Sequence, residues 1–231
     1  MALSLEHRRV GEINVLTCKG RIAEGAESAQ LEAHVTNLLP LQPFILLNLA
    51  EVHFLDSSGL GLLVRLHVKT ARAGGGLKLC ALPPRVTEIL RMTRLQMALS
   101  SHATEAEAIA AYYDRNVPQD WSHLRTEILC VDSSDDVLAF LRTLLREAGY
   151  GVTTAANVYD ALILLRATKP SVVVVSARTR AVRGTETAEA FQELSDRLGA
   201  IELDAGFSTE DAGEAGRRLL DRIAKILRPQ N

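Results

Sequence analysis

The chain has 231 residues, 26 basic against 28 acidic, a formal net charge of −2 and 47% apolar residues. That length allows one large or two small domains with a real core. The near-neutral balance, without a basic block, gives no electrostatic case for nucleic acid, and no apolar run reaches the roughly 18 residues a membrane span needs.

Residues Met1 to His7 have neither the basic start nor the apolar core of a signal peptide. Cys18, Cys80 and Cys130 are far apart, odd in number and each in a strand-like run, so they read as buried thiols in a reducing, cytoplasmic compartment. The histidines lack paired ligand spacing and no Cys-x-x-Cys occurs, so no metal and no cofactor are expected.

Residues 3–10 and 13–21 read as two strands with Gly11-Glu12 as the turn. A loop, Arg21 to Glu27, leads into a helix over 28–39 with Leu31, Val35, Leu38 and Leu39 on its apolar face; Pro40 and Pro43 mark its end. Phe44 to Leu49 is too continuously apolar for a half-exposed strand and reads as a buried one. His53 reads as a strand-end residue beside the next loop rather than a catalytic group.

Asp56-Ser57-Ser58-Gly59 then precedes a helix over 60–69, with Leu60, Leu63, Val64 and Val68 predicted on one face. This puts Ser57 or Ser58 at or next to the N-cap, where a hydroxyl can accept from an unpaired N–H. A helix start also favours a phosphate, through its exposed N–H groups and dipole. The residues alone leave two readings open, a plain serine cap or a phosphorylatable switch on a binding surface.

A strand over 77–82, a helix over 84–94 opened by Pro83-Pro84, a short segment at 97–100 and a helix over 104–113 follow. Thr104 and Glu107 have capping-box spacing. The pattern predicts an open α/β sheet with helices packed on one side. Residues 113–125 are polar and aperiodic and read as a linker, with Trp121 pinned to one of the domains.

The second unit, 126–231, begins with a strand ending at Asp132, then a helix carrying Val137, Leu141, Leu144 and Leu145 and closed by Gly149. A strand over 151–155, a helix over 157–167 and the apolar strand 171–176 complete a βαβαβ run, which implies a parallel sheet with right-handed crossovers. Arg178 to Thr187 is polar, with three arginines, and reads as a solvated mobile loop. The last helix carries Leu219, Leu220, Ile223, Ile226 and Leu227 on one face.

The runs Phe44 to Leu49, Val52 to Leu63, Gly74 to Cys80 and Val86 to Leu95 resemble the STAS family over about residues 1–112, in particular the bacterial anti-sigma factor antagonists. The resemblance implies a STAS domain that acts by binding rather than as an enzyme. In that family the serine directly after the aspartate is phosphorylated, which falls on Ser57. The resemblance gives Asp56, Ser58, Gly59 and Leu60 to the partner surface, with Gly59 expected to permit close approach of the partner backbone. It sets the Ile22-Ala23-Glu24 loop beside the site. Members commonly carry an aspartate in that loop; Glu24 is the nearest acid here. The implied partners are an anti-sigma factor or a serine kinase of the histidine-kinase-like ATPase class, and a metal-dependent serine phosphatase. The rival is an adaptor subunit of a transporter ATPase or signalling scaffold, without a phosphorylation cycle.

Ile128 to Asp132, Glu147 to Val152, Ala155 to Leu162 and Lys169 to Val175 resemble the response-regulator receiver, a flavodoxin-like fold, over about 126–228. Receivers hold Mg²⁺ with two acids at the first strand's end and accept phosphate on an aspartate at the third, helped by a Thr or Ser and a Lys. Here Asp132 survives, but Ser133 stands at the second acid, Ser176 at the phosphoacceptor, and Asp204 near the hydroxyl residue; no strand carries the lysine. A neutral serine cannot replace a carboxylate as metal ligand and acyl-phosphate former. Asp135 and Asp136 begin the helix and complement its dipole. The expectation is a shortened pseudo-receiver that binds, against the rival of a phosphotransfer enzyme.

Overall fold

The computed structural model describes residues 2–114, 128–182, 184–203 and 212–227. Trp121, nearly all of the expected linker, Arg183 and Asp204 lie outside the described residues. The chain divides into two units, Met1–Tyr112 and Tyr113–Asn231. No helix among the described residues is long and apolar enough to cross a membrane.

The first unit contains β1 (Ser4–Val10), β2 (Ile13–Ile22), α1 (Ala26–Leu38), β3 (Phe44–Leu55), α2 (Ser57–Arg72), β4 (Gly76–Cys80), α3 (Pro84–Met92), a 3₁₀ turn (Leu95–Met97), β5 (Ser100–His102) and α4 (Glu105–Tyr113). Its five strands lie in the order β1-β2-β3-β4-β5, the first pair antiparallel and the others parallel. Gly11 turns the first hairpin at φ 59°, a conformation glycine takes without steric cost. β3 runs to Leu55, further than its apolar start suggests: it is buried on both faces up to Leu47, then exposes Ala50, Glu51 and His53.

Side-chain alternation divides the sheet's burial. Ile45, Leu47 and Leu49 join Leu16, Cys18, Leu77 and Leu79 on the face that α1, α2 and α3 cover. Phe44 turns to the opposite face and meets Tyr112 of α4 edge-on, ring centroids 5.7 Å apart. Three helices therefore pack on one side, as the pattern predicts, and α4 closes the other. The Tyr112 hydroxyl donates to the carbonyls of Ile45 at 2.7 Å and Gly76 at 3.0 Å, tying α4 to β3 and the start of β4. At the head of α4, the Glu107 N–H donates to Thr104 Oγ1 at 3.2 Å, while its carboxylate accepts from the Ala103 N–H at 3.1 Å, one residue earlier than in a regular capping box.

The apolar face of α2 differs from the one predicted. Gly59, Leu60, Leu62, Leu63, Leu66 and Thr70 are buried, whereas Val68 is 40% exposed. At about 100° per residue, Val68 lies about 140° around the helix from Leu63.

The second unit contains β6 (Ile128–Val131), α5 (Asp135–Glu147), β7 (Val152–Ala155), α6 (Val158–Thr168), β8 (Val172–Ser176), a short α7 (Ala177–Arg180), α8 (Glu186–Arg197), β9 (Ala200–Leu203) and α9 (Ala212–Leu227). All four strands are parallel, in the order β7-β6-β8-β9. This is the flavodoxin-like order carried through its fourth strand. Leu138, Leu141 and Leu145 of α5 and Leu219 and Ile223 of α9 share a core with Ile128, Cys130, Val172 and Val174. Leu129, Val173 and Val175, of the opposite strand parity, are also buried, and α6 packs with α8.

The loop expected over 178–187 is shorter than that, because helices take both of its ends. Residues up to Arg180 form α7, and α8 begins at Glu186, capped where Thr185 Oγ1 accepts the Ala188 N–H at 3.1 Å. Arg180 is committed within the unit, to Asp196 at 2.6 Å and Glu202 at 3.4 Å.

Candidate functional site

Where β3 ends, the chain turns through Asp56 (φ −100°, ψ −176°) into α2. Asp56 Oδ1 accepts the Gly59 N–H at 2.7 Å, and Oδ2 accepts the Glu24 N–H from the β2–α1 loop at 3.3 Å. Asp56, not Ser57 or Ser58, is thus the N-cap. Its backbone is still extended while both serines are already helical, and its two oxygens serve two backbone donors at once. These N–H groups hold the Asp56 carboxyl below the usual carboxylate range, Gly59 contributing most, then Glu24 and Ser58, with the Arg21 charge adding and burial opposing.

Ser57 is the first helical residue. It is exposed, and its hydroxyl has no hydrogen-bond partner among the described residues; Ser58 is half-buried. Glu24 is exposed beside it. Two residues expected at the partner surface turn inward instead. A Cβ on Gly59 would lie 2.2 Å from the Ile22 carbonyl oxygen and 2.8 Å from Leu55 Cδ1, so this glycine admits α2 to the end of β2, not a partner's backbone. Leu60 is only 8% exposed and belongs to the core. The cause is helical phase: the third and fourth residues of α2 face the sheet.

Arg21 and Phe54 also belong to this surface. They are register partners on β2 and β3, and the guanidinium lies 4.9 Å from the ring centroid. Sequence reasoning missed the pair because the register slips between Gly20 and Arg21, where β3 takes an extra residue; the exposed His53 occupies that irregularity.

The cysteines are free and buried, with burial the main force pushing each thiol up to about 12.

In the second unit, Asp132 follows β6 and is 8% exposed; its Oδ1 accepts the Ser134 N–H at 2.6 Å. Ser134 caps α5, accepting the Val137 N–H at 3.4 Å, with Asp135 and Asp136 in the first turn. Ser133 is exposed. Ser176 ends β8 and caps α7, accepting the Thr179 N–H at 3.4 Å. Because β6 and β8 are parallel neighbours, Asp132, Ser133 and Ser176 stand at the same end of the sheet. The donor set does not fit a magnesium ion: it offers one carboxylate and two neutral hydroxyls where a hard cation needs several ordered oxygen ligands, carboxylates foremost. Among the described residues, no group of three or more His, Cys, Asp or Glu is placed to hold a metal.

The first unit is a mixed α/β sheet presenting a capped helix tip. Residues 4–108 match the STAS domain model, and this half of the chain is a STAS domain. The chain is similar to an anti-sigma factor antagonist from Mycobacterium paratuberculosis, at 21% identity over 49% of this chain and 96% of that one, TM-score 0.45. It is also similar to the Bacillus cell fate determinant SpoIIAA in its phosphorylated form, at 24% identity over 48% and 98%, TM-score 0.39. A third similar structure is the Vibrio cholerae chemotaxis protein CheY4, at 21% identity over 44% and 98%, TM-score 0.33.

Proposed function

We propose that this STAS-domain protein is a regulatory binding protein of the anti-sigma factor antagonist type, switched by phosphorylation of Ser57. One observation supports it above the others. Asp56 already performs the capping, so the exposed Ser57 hydroxyl is left without a structural task at the first turn of α2. A serine that merely capped the helix would have its oxygen engaged.

Phosphate would add roughly −1.5 to −2 charges beside Asp56 and Glu24. The start of α2 tolerates that charge within the domain. A docked partner presenting acidic or apolar groups there does not. Phosphorylation thus preserves the fold and lowers affinity. The partner on this reading is an anti-sigma factor or a serine kinase of the histidine-kinase-like ATPase class. The kinase esterifies Ser57, and a metal-dependent serine phosphatase restores the hydroxyl. The protein acts in the cytoplasm by binding, not as an enzyme, with 1–112 as the switch domain, 113–125 as linker and 126–231 as a pseudo-receiver that takes no phosphate at Ser176.

The test is partner affinity for the wild type, Ser57→Ala and Ser57→Asp, together with intact-mass analysis after incubation with the kinase. The expected result is binding by Ser57→Ala, loss of binding by Ser57→Asp, and one phosphate on the wild type that Ser57→Ala does not acquire. Equal affinity for both variants removes the switch and leaves the adaptor reading.

A further inference from the structure

We propose that β1 is a self-docking edge: two copies of this chain pair through it in antiparallel register, with His7 of each copy at the two-fold axis. β1 is the end strand of the first sheet, and among the described residues only β2 pairs with it. Ser4, Glu6, His7 and Arg9 are exposed, and Leu5 and Arg8 are half-buried. A strand edge of this kind is a template for another strand, which its outward N–H and C=O groups can pair.

Charged side chains ordinarily guard such an edge. Here their order selects one partner instead. Antiparallel pairing about a two-fold axis sets residues equally far from the axis opposite one another. With the axis at His7, Ser4 meets Val10, Leu5 meets Arg9 and Glu6 meets Arg8, so the whole strand overlaps. Glu6 and Arg8 share one face of β1, because successive side chains alternate. Each already holds an opposite charge within its own chain: Lys19 lies 3.0 Å from Glu6, and Glu105 pairs with Arg8. The dimer therefore lines up Lys19, Glu6, and then Arg8 and Glu105 of the second copy, alternating in sign on both sides of the axis. Leu5 gains the aliphatic stem of the opposite Arg9.

Shifting the axis by one residue loses the match. At Glu6 it opposes two carboxylates and shortens the overlap to Ser4–Arg8. At Arg8 it opposes two guanidiniums and leaves only Glu6–Val10 overlapped. The register of full overlap is thus also the register of complementary charge.

The full chain is followed by sedimentation velocity from about 1 μM to about 1 mM, a range that reads weak association. The mass is expected to rise from the 25.2 kDa of one chain toward that of two. Glu6→Arg and Arg8→Glu each set like charges opposite one another, so each alone stays at the mass of one chain. Mixed in equal amounts they associate, because the first presents two cations to the two anions of the second, a rescue that a folding defect would not give. His7→Cys adds an independent reading. The native cysteines are all buried, so mild oxidation joins two chains through the new thiol at the axis. A wild type that keeps the mass of one chain over the whole range overturns the proposal. So does a dimer that both single variants leave intact, and so does a His7→Cys chain that oxidation fails to join.

Discussion

At the residue scale, the tip of α2 depends on a carboxylate and a missing methyl group. Asp56 joins the β2–α1 loop to the first turn of α2 through Glu24 and Gly59. Its carboxyl is held below its ordinary value, so its contribution to stability is fully present above about pH 4 and is lost as pH falls through the lower folded-state value. Asp56→Asn retains a capping oxygen but cannot titrate. The melting temperature of the wild type should therefore fall more steeply below about pH 4 than that of the variant; parallel curves would mean that the carboxylate charge contributes nothing. Gly59 has no room for a side chain against the Ile22 carbonyl oxygen at 2.2 Å. Gly59→Ala should destabilise by about 1–3 kcal/mol in chemical denaturation, because the obstacle is backbone and cannot rotate away. The sequence made this four-residue run visible as a helix start, but not which residue caps it. That choice depends on where the extended backbone ends, and both aspartate and serine make good caps.

At the scale of elements, packing decides what periodicity leaves ambiguous. Leu66 is fully buried and Val68 is 40% exposed on the same helix, although apolar spacing placed Val68 on the core face. Leu66→Ala should cost about 2–5 kcal/mol, whereas Val68→Ala should stay within about 0.5 kcal/mol. Comparable losses would mean that α2 turns Val68 as well as Leu66 toward the sheet. Tyr112→Phe keeps the ring against Phe44 but removes the hydroxyl that ties α4 to Ile45 and Gly76. The expected loss is about 1–2 kcal/mol, measured by urea unfolding. β3 and β8 were readable because each carries a continuous apolar run. α8 and β9 were not. The buried residues of α8 are Ala188, Phe191 and Ser195, a stripe with one large apolar side chain, and β9 buries only Ile201 and Leu203, with the exposed Glu202 between them. Capping by Thr185 was the available signal, masked by the arginines around it.

At the scale of the whole molecule, the two halves differ in what they present where a strand runs into a helix. In the first, the tip of α2 leaves the Ser57 hydroxyl exposed just past the end of a parallel strand. In the second, β6 and β8 lie side by side as parallel neighbours, and Asp132, Ser133 and Ser176 stand at the same end of that sheet with a single carboxylate among them. If charge is the missing ingredient, it can be supplied. Ser133 is exposed and has room for a carboxylate, and aspartate at 176 would still cap α7. With ionic strength matched, Mg²⁺ should leave the wild-type melting temperature unchanged. The double variant Ser133→Asp/Ser176→Asp should gain about 1.4 kcal/mol at ten times its Kd, by mass action on the folded state. A Mg²⁺ response in the wild type would show that Asp132 recruits other ligands. Failure of the double variant to respond would show that shape as well as charge keeps this end of the sheet from holding the ion, because two carboxylates introduced beside Asp132 would then be held too far apart to share it.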